Sequence, residues 1–137
     1  MSDKVFFDSN MLIYLYSGTT PTQSTKIGQL LVKHDDIFIS TQVLNELANV
    51  LRKKWQMSCE EIQQVLSEVV AGLDVSIVTY STIQQALRLV SRYRYSYYDS
   101  LIIAAAIECG ATILYTEDLK HNQKIDDKLS IVNPFLA

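Results

Sequence analysis

The chain has 137 residues, the length of one domain, since single domains commonly run to about 100–150 residues. With 48% hydrophobic residues, 20% charged, four Gly and two Pro, the composition excludes a disordered or low-complexity chain. The formal net charge of −3 argues against gripping nucleic acid through bulk positive charge, though a net charge says nothing of one local site. No apolar run approaches the roughly 20 residues that span a bilayer, and the N-terminal MSDKVFFDSN lacks a secretory apolar segment. Cys59 and Cys109 make neither a metal-type pair nor a disulfide framework, so reduced thiols and a cytoplasmic setting are expected.

Val5-Phe6-Phe7 reads as a buried strand ending in the polar Asp8-Ser9-Asn10. Met11 to Tyr16 predicts a short helix, closed by Ser17-Gly18 and a loop through Pro21. Residues 22–33 predict a second helix, and Ile37-Phe38-Ile39 a second strand, with Ser40-Thr41 as candidate caps of the helix that follows. That helix carries Val43, Leu44, Leu47, Val50 and Leu51 on one face. Ser58-Cys59-Glu60-Glu61 opens another, with acids where the helix dipole favours them and an apolar stripe of Ile62, Val65, Leu66, Val69, Val70 and Leu73. Val75 to Thr79 predicts a third strand, and Ser81 caps a helix with the stripe Ile83, Ala86, Leu87 and Val90. A basic-aromatic stretch then leads to Asp99 and an almost wholly apolar helix, Leu101 to Cys109, stopped by Gly110. Thr112 to Tyr115 predicts a fourth strand and Ser130 to Val132 a short fifth. Short apolar strands alternating with helices are the pattern of a parallel sheet covered on both faces, here as one α/β domain over 1–137.

In open parallel sheets, ligands bind beyond the carboxyl ends of the strands. Asp8 falls there after the first strand and Glu117-Asp118 after the fourth, while Glu46 lies on the helix after the second strand and Asp99 begins the apolar helix. Each acid has an ordinary alternative. Asp8 serves equally as a helix cap, Glu46 as a surface glutamate, Asp99 as a cap or first-turn acid, and Glu117-Asp118 as a turn. Jointly they fall where one sheet edge gathers them. Carboxylates converging on one pocket repel each other, and no Lys or Arg stands within two positions of Asp8, Glu46 or Asp99. An oxygen-seeking divalent ion, Mg²⁺ or Mn²⁺, is the natural partner, and such ions assist phosphodiester cleavage. His34 and His121 are read as residues of polar, loop-like surroundings, which leaves no Cys/His cluster for structural zinc.

FFDSNMLIYLYSG, ISTQVLNELANVLRK, SYYDSLIIAAAIECGA and ILYTEDL together resemble the successive acid-bearing motifs of PIN-domain ribonucleases. The resemblance runs from Val5 to about Phe135, and small members of this kind are most often the toxins of VapBC-type toxin–antitoxin pairs. It implies a three-layer α/β/α sandwich with a short, mostly parallel central sheet. It also implies a catalytic set of Asp8, Glu46, Asp99 and Asp118, with metal on Asp8, Asp99 and Asp118, and with Asn10 and Thr116 supporting the site by hydrogen bonds. Glu117 adds a further carboxylate beside them, with no role assigned. Mg²⁺ or Mn²⁺ dependence, an RNA substrate, a cognate antitoxin and a homodimer follow as expectations. So does a mechanism in which Glu46 and the metal position and deprotonate a water that attacks phosphorus in line.

Local positive charge for RNA is expected from Arg52-Lys53-Lys54 and from Arg88, Arg92 and Arg94, the latter interleaved with Tyr93, Tyr95, Tyr97 and Tyr98, whose rings are of the kind that stacks on unpaired bases. The ordinary alternatives are basic residues favoured at helix C-termini and tyrosines that pack. Taking the four catalytic acids out of the charge count leaves the rest of the chain slightly basic. Three other readings stand beside this one. They are a non-catalytic PIN-like binding module, a PIN nuclease of RNA processing or DNA unrelated to toxicity, and a phosphotransfer enzyme using Asp8 as nucleophile. The last is disfavoured, because Asp8-Ser9-Asn10 departs from a D-x-D start.

Overall fold

Runs such as Val5-Phe6-Phe7, apolar at every position, bury both faces of a strand, and all three of these side chains are fully inside the protein. Burial of each such Phe contributes about 1.5–3 kcal/mol. The computed structural model describes residues 3–17 and 20–136. In chain order these form β1 (Lys4–Phe7), α1 (Ser9–Ser17), α2 (Pro21–Lys33), β2 (Asp36–Ser40), α3 (Thr41–Lys53), α4 (Cys59–Gly72), β3 (Asp74–Ser76), α5 (Tyr80–Tyr93), α6 (Tyr97–Glu108), β4 (Ile113–Tyr115), β5 (Lys124–Ile125) and β6 (Leu129–Val132). Gly18, expected to help close the first helix, lies outside the described residues.

Among the described residues the sheet has six strands in the order β3-β2-β1-β4-β6-β5. Pairings β1–β2, β1–β4, β2–β3 and β4–β6 are parallel, and only β5–β6 is antiparallel. The expected α/β sandwich with a mostly parallel central sheet is therefore the architecture found. The chain leaves β1 toward β2 on one side and returns to β4 on the other, so the carboxyl end of β1 is a topological switch point, where such sheets hold ligands. Phe7 registers with Tyr115, and the Asp8 N–H continues that ladder to the Tyr115 carbonyl at 3.0 Å.

The helices are started and stopped by local chemistry. Ser40 caps α3 by accepting the Val43 N–H, and Ser58 with Glu61 closes a capping box on α4. Ser96 caps α6, five residues before the apolar run begins, which places Asp99 in the first turn. From Ser100 to Ala106 that helix is buried all round; it packs on α5 and also reaches β2 and α3. It ends where Gly110, at φ +77°, sends its N–H to Ile107 while the Ala111 N–H reaches Ala106. This is the paired closure that a left-handed residue permits. No helix of the described residues is long and apolar enough to cross a membrane.

Several local expectations are corrected. The third strand stops at Ser76, not Thr79, because the Val78 N–H leaves the sheet for Thr41 Oγ1 and Thr79 caps α5 in a box with Thr82. The cap is therefore Thr79 rather than Ser81. The buried face of α5 is Thr82, Ala86 and Leu89, with Leu87 54% exposed; the Thr82 hydroxyl turns inward to Glu108. On α4, Val70 is exposed while Ile62, Val65 and Val69 are buried. A two-residue strand, β5, precedes the expected fifth one. His34 is not in a polar loop: it is buried, its Nε2 3.0 Å from the Tyr115 hydroxyl, and burial lowers its pKa. His121 Nδ1 accepts the Asn133 N–H at 2.9 Å.

Candidate active site

Asp8 follows the last residue of β1 and is only 3% exposed. A capping carboxylate accepts the N–H of the second or third helical residue, but Asp8 Oδ1 instead takes the first, that of Ser9, at 2.7 Å. Its other oxygen, Oδ2, accepts the Thr116 hydroxyl from the end of β4 at 2.8 Å. Thr116 Oγ1 in turn accepts the Asp118 N–H at 3.2 Å, and Asn10 Nδ2 donates to Asp118 Oδ2 at 3.0 Å. Asp8 and Asp118 are thus bridged by Thr116, with Asn10 holding the second acid. Asn10 and Thr116, singled out in the sequence as supporting residues, are the ones that make these bonds.

Glu46, about one and a half turns into α3, is tied to the same centre by Ser9, a residue outside the set of acids and their expected supports. Ser9 Oγ lies 2.8 Å from Glu46 Oε1 and 3.4 Å from Asp8 Oδ1. A hydroxyl has one proton to give, and the shorter contact marks Glu46 as its acceptor. Gln42 Nε2 holds the other Glu46 oxygen at 3.1 Å. Nothing in the spacing of the motifs pointed to Ser9 or Gln42. A small hydroxyl residue next to Asp8 was the only available signal.

Asp99 stands apart from this hydrogen-bonded set. It is half-buried in the first turn of α6, its N–H on Ser96 Oγ at 3.1 Å, and it shares no hydrogen bond with Asp8, Glu46 or Asp118. The neighbouring Tyr98 and Glu46 line one cleft of about 480 Å³, together with Gln42, Asn45 and Asn49. Glu117 is turned to a different partner: the Tyr14 hydroxyl donates to it, which pushes the Tyr14 pKa up to about 12.

The electrostatics single out Asp8. Burial, followed by repulsion from Glu46 and Asp118, outweighs its hydrogen bonds from Thr116 and Ser9 and raises its pKa to about 7. Its hydrogen-bond donors are all neutral, and its charged neighbours are acids. Asn10 Oδ1 is also buried without a partner. Oxygen-only donors, a desolvated carboxylate with no cation from the chain and an orphaned carbonyl oxygen fit a hard divalent ion such as Mg²⁺ or Mn²⁺. With the side chains as they stand, no three acidic, histidine or cysteine residues among those described are grouped as a metal site.

The basic and aromatic residues divide sharply. Arg88 pairs with Asp126, and Tyr93 donates to the same carboxylate at 3.0 Å. Tyr95 donates to Gln123, and Tyr97 packs against the core. Arg92 lies over the Tyr93 ring, Arg94 ends α5 in the left-handed conformation, and Lys54 lies over Trp55. Arg52 and Lys53 are exposed at the end of α3. Of the four tyrosines, Tyr98 alone is exposed, at 60%.

Among curated proteins, none matches the sequence. The PIN domain family model matches residues 5–126. The structure is similar to a toxin–antitoxin complex from Klebsiella pneumoniae, with TM-score 0.73 and 22% identity over 96% of this chain and 98% of that one. It is also similar to Mycobacterium tuberculosis VapC20, a sarcin-ricin loop cleaving toxin, with TM-score 0.69 and 19% identity over 84% and 90% of the two chains. A third likeness is to VapBC2 from Rickettsia felis, bound to a DNA fragment from their promoter, with TM-score 0.67 and 22% identity over 93% and 96%. At these identities the solved structures speak to the fold, and the family match spans most of the sequence with Asp8, Glu46, Asp99 and Asp118 inside it. The chain belongs to the PIN-domain family.

Proposed function

We propose that this protein is a Mg²⁺- or Mn²⁺-dependent endoribonuclease and the toxin of a type II toxin–antitoxin pair, working in the cytoplasm as a homodimer with a cognate antitoxin as its protein partner. The observation that carries the nuclease reading is the buried, cation-free Asp8 carboxylate at the sheet's switch point, joined through Ser9 and Thr116 to Glu46 and Asp118. The toxin reading is supported by likeness to VapC20 and to two toxin–antitoxin assemblies.

In this reading Asp8, Asp99 and Asp118 would hold the metal, which when bound would supply Lewis-acid charge at the scissile phosphate and acidify water. Glu46, its two oxygens fixed by Ser9 and Gln42, accepts the proton of the attacking water. Oxygen–phosphorus bond formation on that side is matched by departure of the ribose oxygen on the other. Thr116 and Asn10 hold Asp8 and Asp118 in place, which pre-orients these two of the three carboxylates. Glu117, bound to Tyr14, positions the turn after β4 rather than joining the metal set. Exposed Arg52, Lys53, Arg92 and Arg94 supply phosphate contacts, whereas Arg88 is occupied by Asp126.

RNA cleavage by the purified protein tests this directly. With Mg²⁺ the wild type cuts and EDTA stops it, while Asp8→Asn lowers the rate more than about 100-fold, beyond the usual cost of losing a partner of a metal ligand. Wild-type rates from Asp8→Asn would overturn the assignment. Growth arrest on expression, cured by Asp8→Asn and by co-expression of a small neighbouring gene, tests the toxin role; arrest that persists with Asp8→Asn would contradict it.

A further inference from the structure

The cleft beside Glu46 also presents three side chains that the proposed catalytic chemistry does not use, Asn45, Asn49 and Tyr98. Gln42, Asn45, Glu46 and Asn49 recur at offsets 0, 3, 4 and 7, which places them on one face of α3. They form one wall of a cleft of about 480 Å³ that is also lined by Tyr98, at the start of α6. The Asn45 and Asn49 side chains are exposed and make no hydrogen bond among the described residues, so each amide keeps its donor and acceptor free. Tyr98 is 60% exposed, while the tyrosines around it are bonded or packed. Among the described residues its ring contact is an edge-on approach to Tyr97, with centroids 5.4 Å apart. One further turn along α3 stand the exposed Arg52 and Lys53.

We propose that this cleft is a nucleobase subsite for the RNA strand being cut, in which Tyr98 stacks on one unpaired base while Asn45 and Asn49 read its edge. The inference rests on the ribonuclease reading and adds to it a position of sequence preference. An exposed phenol ring offers a face for stacking. Side-chain amides offer the adjacent donor and acceptor that base edges require. Arg52 and Lys53 continue the strip with the charge a phosphate needs. A protein partner would be expected to bury apolar side chains at the centre of its contact, and this cleft presents amides, a carboxylate and one phenol instead. Because Glu46 is both a wall of the cleft and a member of the Asp8 network, the base held there belongs to a nucleotide adjoining the scissile phosphate.

The test is cleavage, with Mg²⁺, of RNA hairpins carrying a randomised single-stranded loop, using wild type, Asn45→Ala, Asn49→Ala, Tyr98→Ala and Tyr98→Phe, each checked for folding by circular dichroism. Wild type should show a base preference at one position next to the cut. Asn45→Ala or Asn49→Ala should flatten that preference by about 5-fold or more. Tyr98→Ala should raise KM by about 5-fold or more, and Tyr98→Phe, which keeps the ring, should stay within roughly 2-fold of wild type. An unchanged preference in both Asn variants, together with an unchanged KM in Tyr98→Ala, overturns the subsite while leaving the nuclease standing. Absence of cleavage by wild type removes the nuclease reading and the subsite with it.

Discussion

Two aspartates of this protein are treated in opposite ways. Asp126, in the loop after β5, is met by the Arg88 guanidinium and the Tyr93 hydroxyl, and its own N–H returns to Tyr93 at 2.9 Å. The Arg88 hydrogen bond leads the causes that hold its pKa below the usual carboxylate range. Asp8 is more deeply buried, receives only neutral donors and faces two other acids, and its pKa rises to about 7. A carboxylate that fastens the fold is supplied with its counter-charge by the chain. One that is buried without a counter-charge is costly, and that cost is explained if the counter-charge arrives as a ligand.

The largest effect expected short of removing a carboxylate is at Ser9, which touches both sides of the site. Ser9→Ala should lower kcat for RNA cleavage roughly 10–100-fold with KM little changed, because Glu46 loses the hydroxyl that aims it. Ser9→Thr, which restores the hydroxyl, should recover most of the rate. Equal losses from both variants in steady-state assays would make Ser9 a packing residue.

A smaller effect, on stability, should have opposite signs at the two aspartates. The Asp8 pKa is raised in the folded protein, so ionisation opposes folding. In EDTA the wild type should lose stability as pH rises from about 4 to about 7, by at most about 4 kcal/mol, and Asp8→Asn should remove that loss. The Asp126 pKa is depressed, so its contribution is present at neutral pH and fades as pH falls through the lowered value. Asp126→Asn should cost about 1 kcal/mol at pH 7, discounted because Arg88 is partly exposed, and less in acid. Urea melts across this range check both. Parallel slopes for the two variants would break the contrast.

What was legible in the sequence, and what was not, follows from the range of the interactions. β1, β2 and β4 announce themselves because a strand buried on both faces needs consecutive apolar residues, as in Val5-Phe6-Phe7. α4 does so because its capping box lies within four residues. β5 has no such run: Lys124-Ile125 is a strand only because β6 lies beside it. The buried face of α5 departs from its apolar stripe because Thr82 finds a partner in Glu108, on another helix. His34 looked polar because Tyr115, its partner, is eighty-one residues away. The same limit applies at the site. The four acids were visible as motifs, but the bridges at Ser9 and Thr116, the diversion of Glu117 to Tyr14 and the separation of Asp99 from the hydrogen-bonded set are facts about neighbours in space. The tyrosine-rich stretch shows this most plainly, since nothing in its letters distinguishes Tyr98, which is exposed, from Tyr93 and Tyr95, which are bonded.

If the Asp8 carboxylate is left without a counter-charge for a divalent cation, Mn²⁺ binding followed by electron paramagnetic resonance shows it most directly. Wild type and Asp126→Asn should bind Mn²⁺ with the same affinity, and Asp8→Asn should lose that binding. Undiminished Mn²⁺ binding by Asp8→Asn would contradict the account.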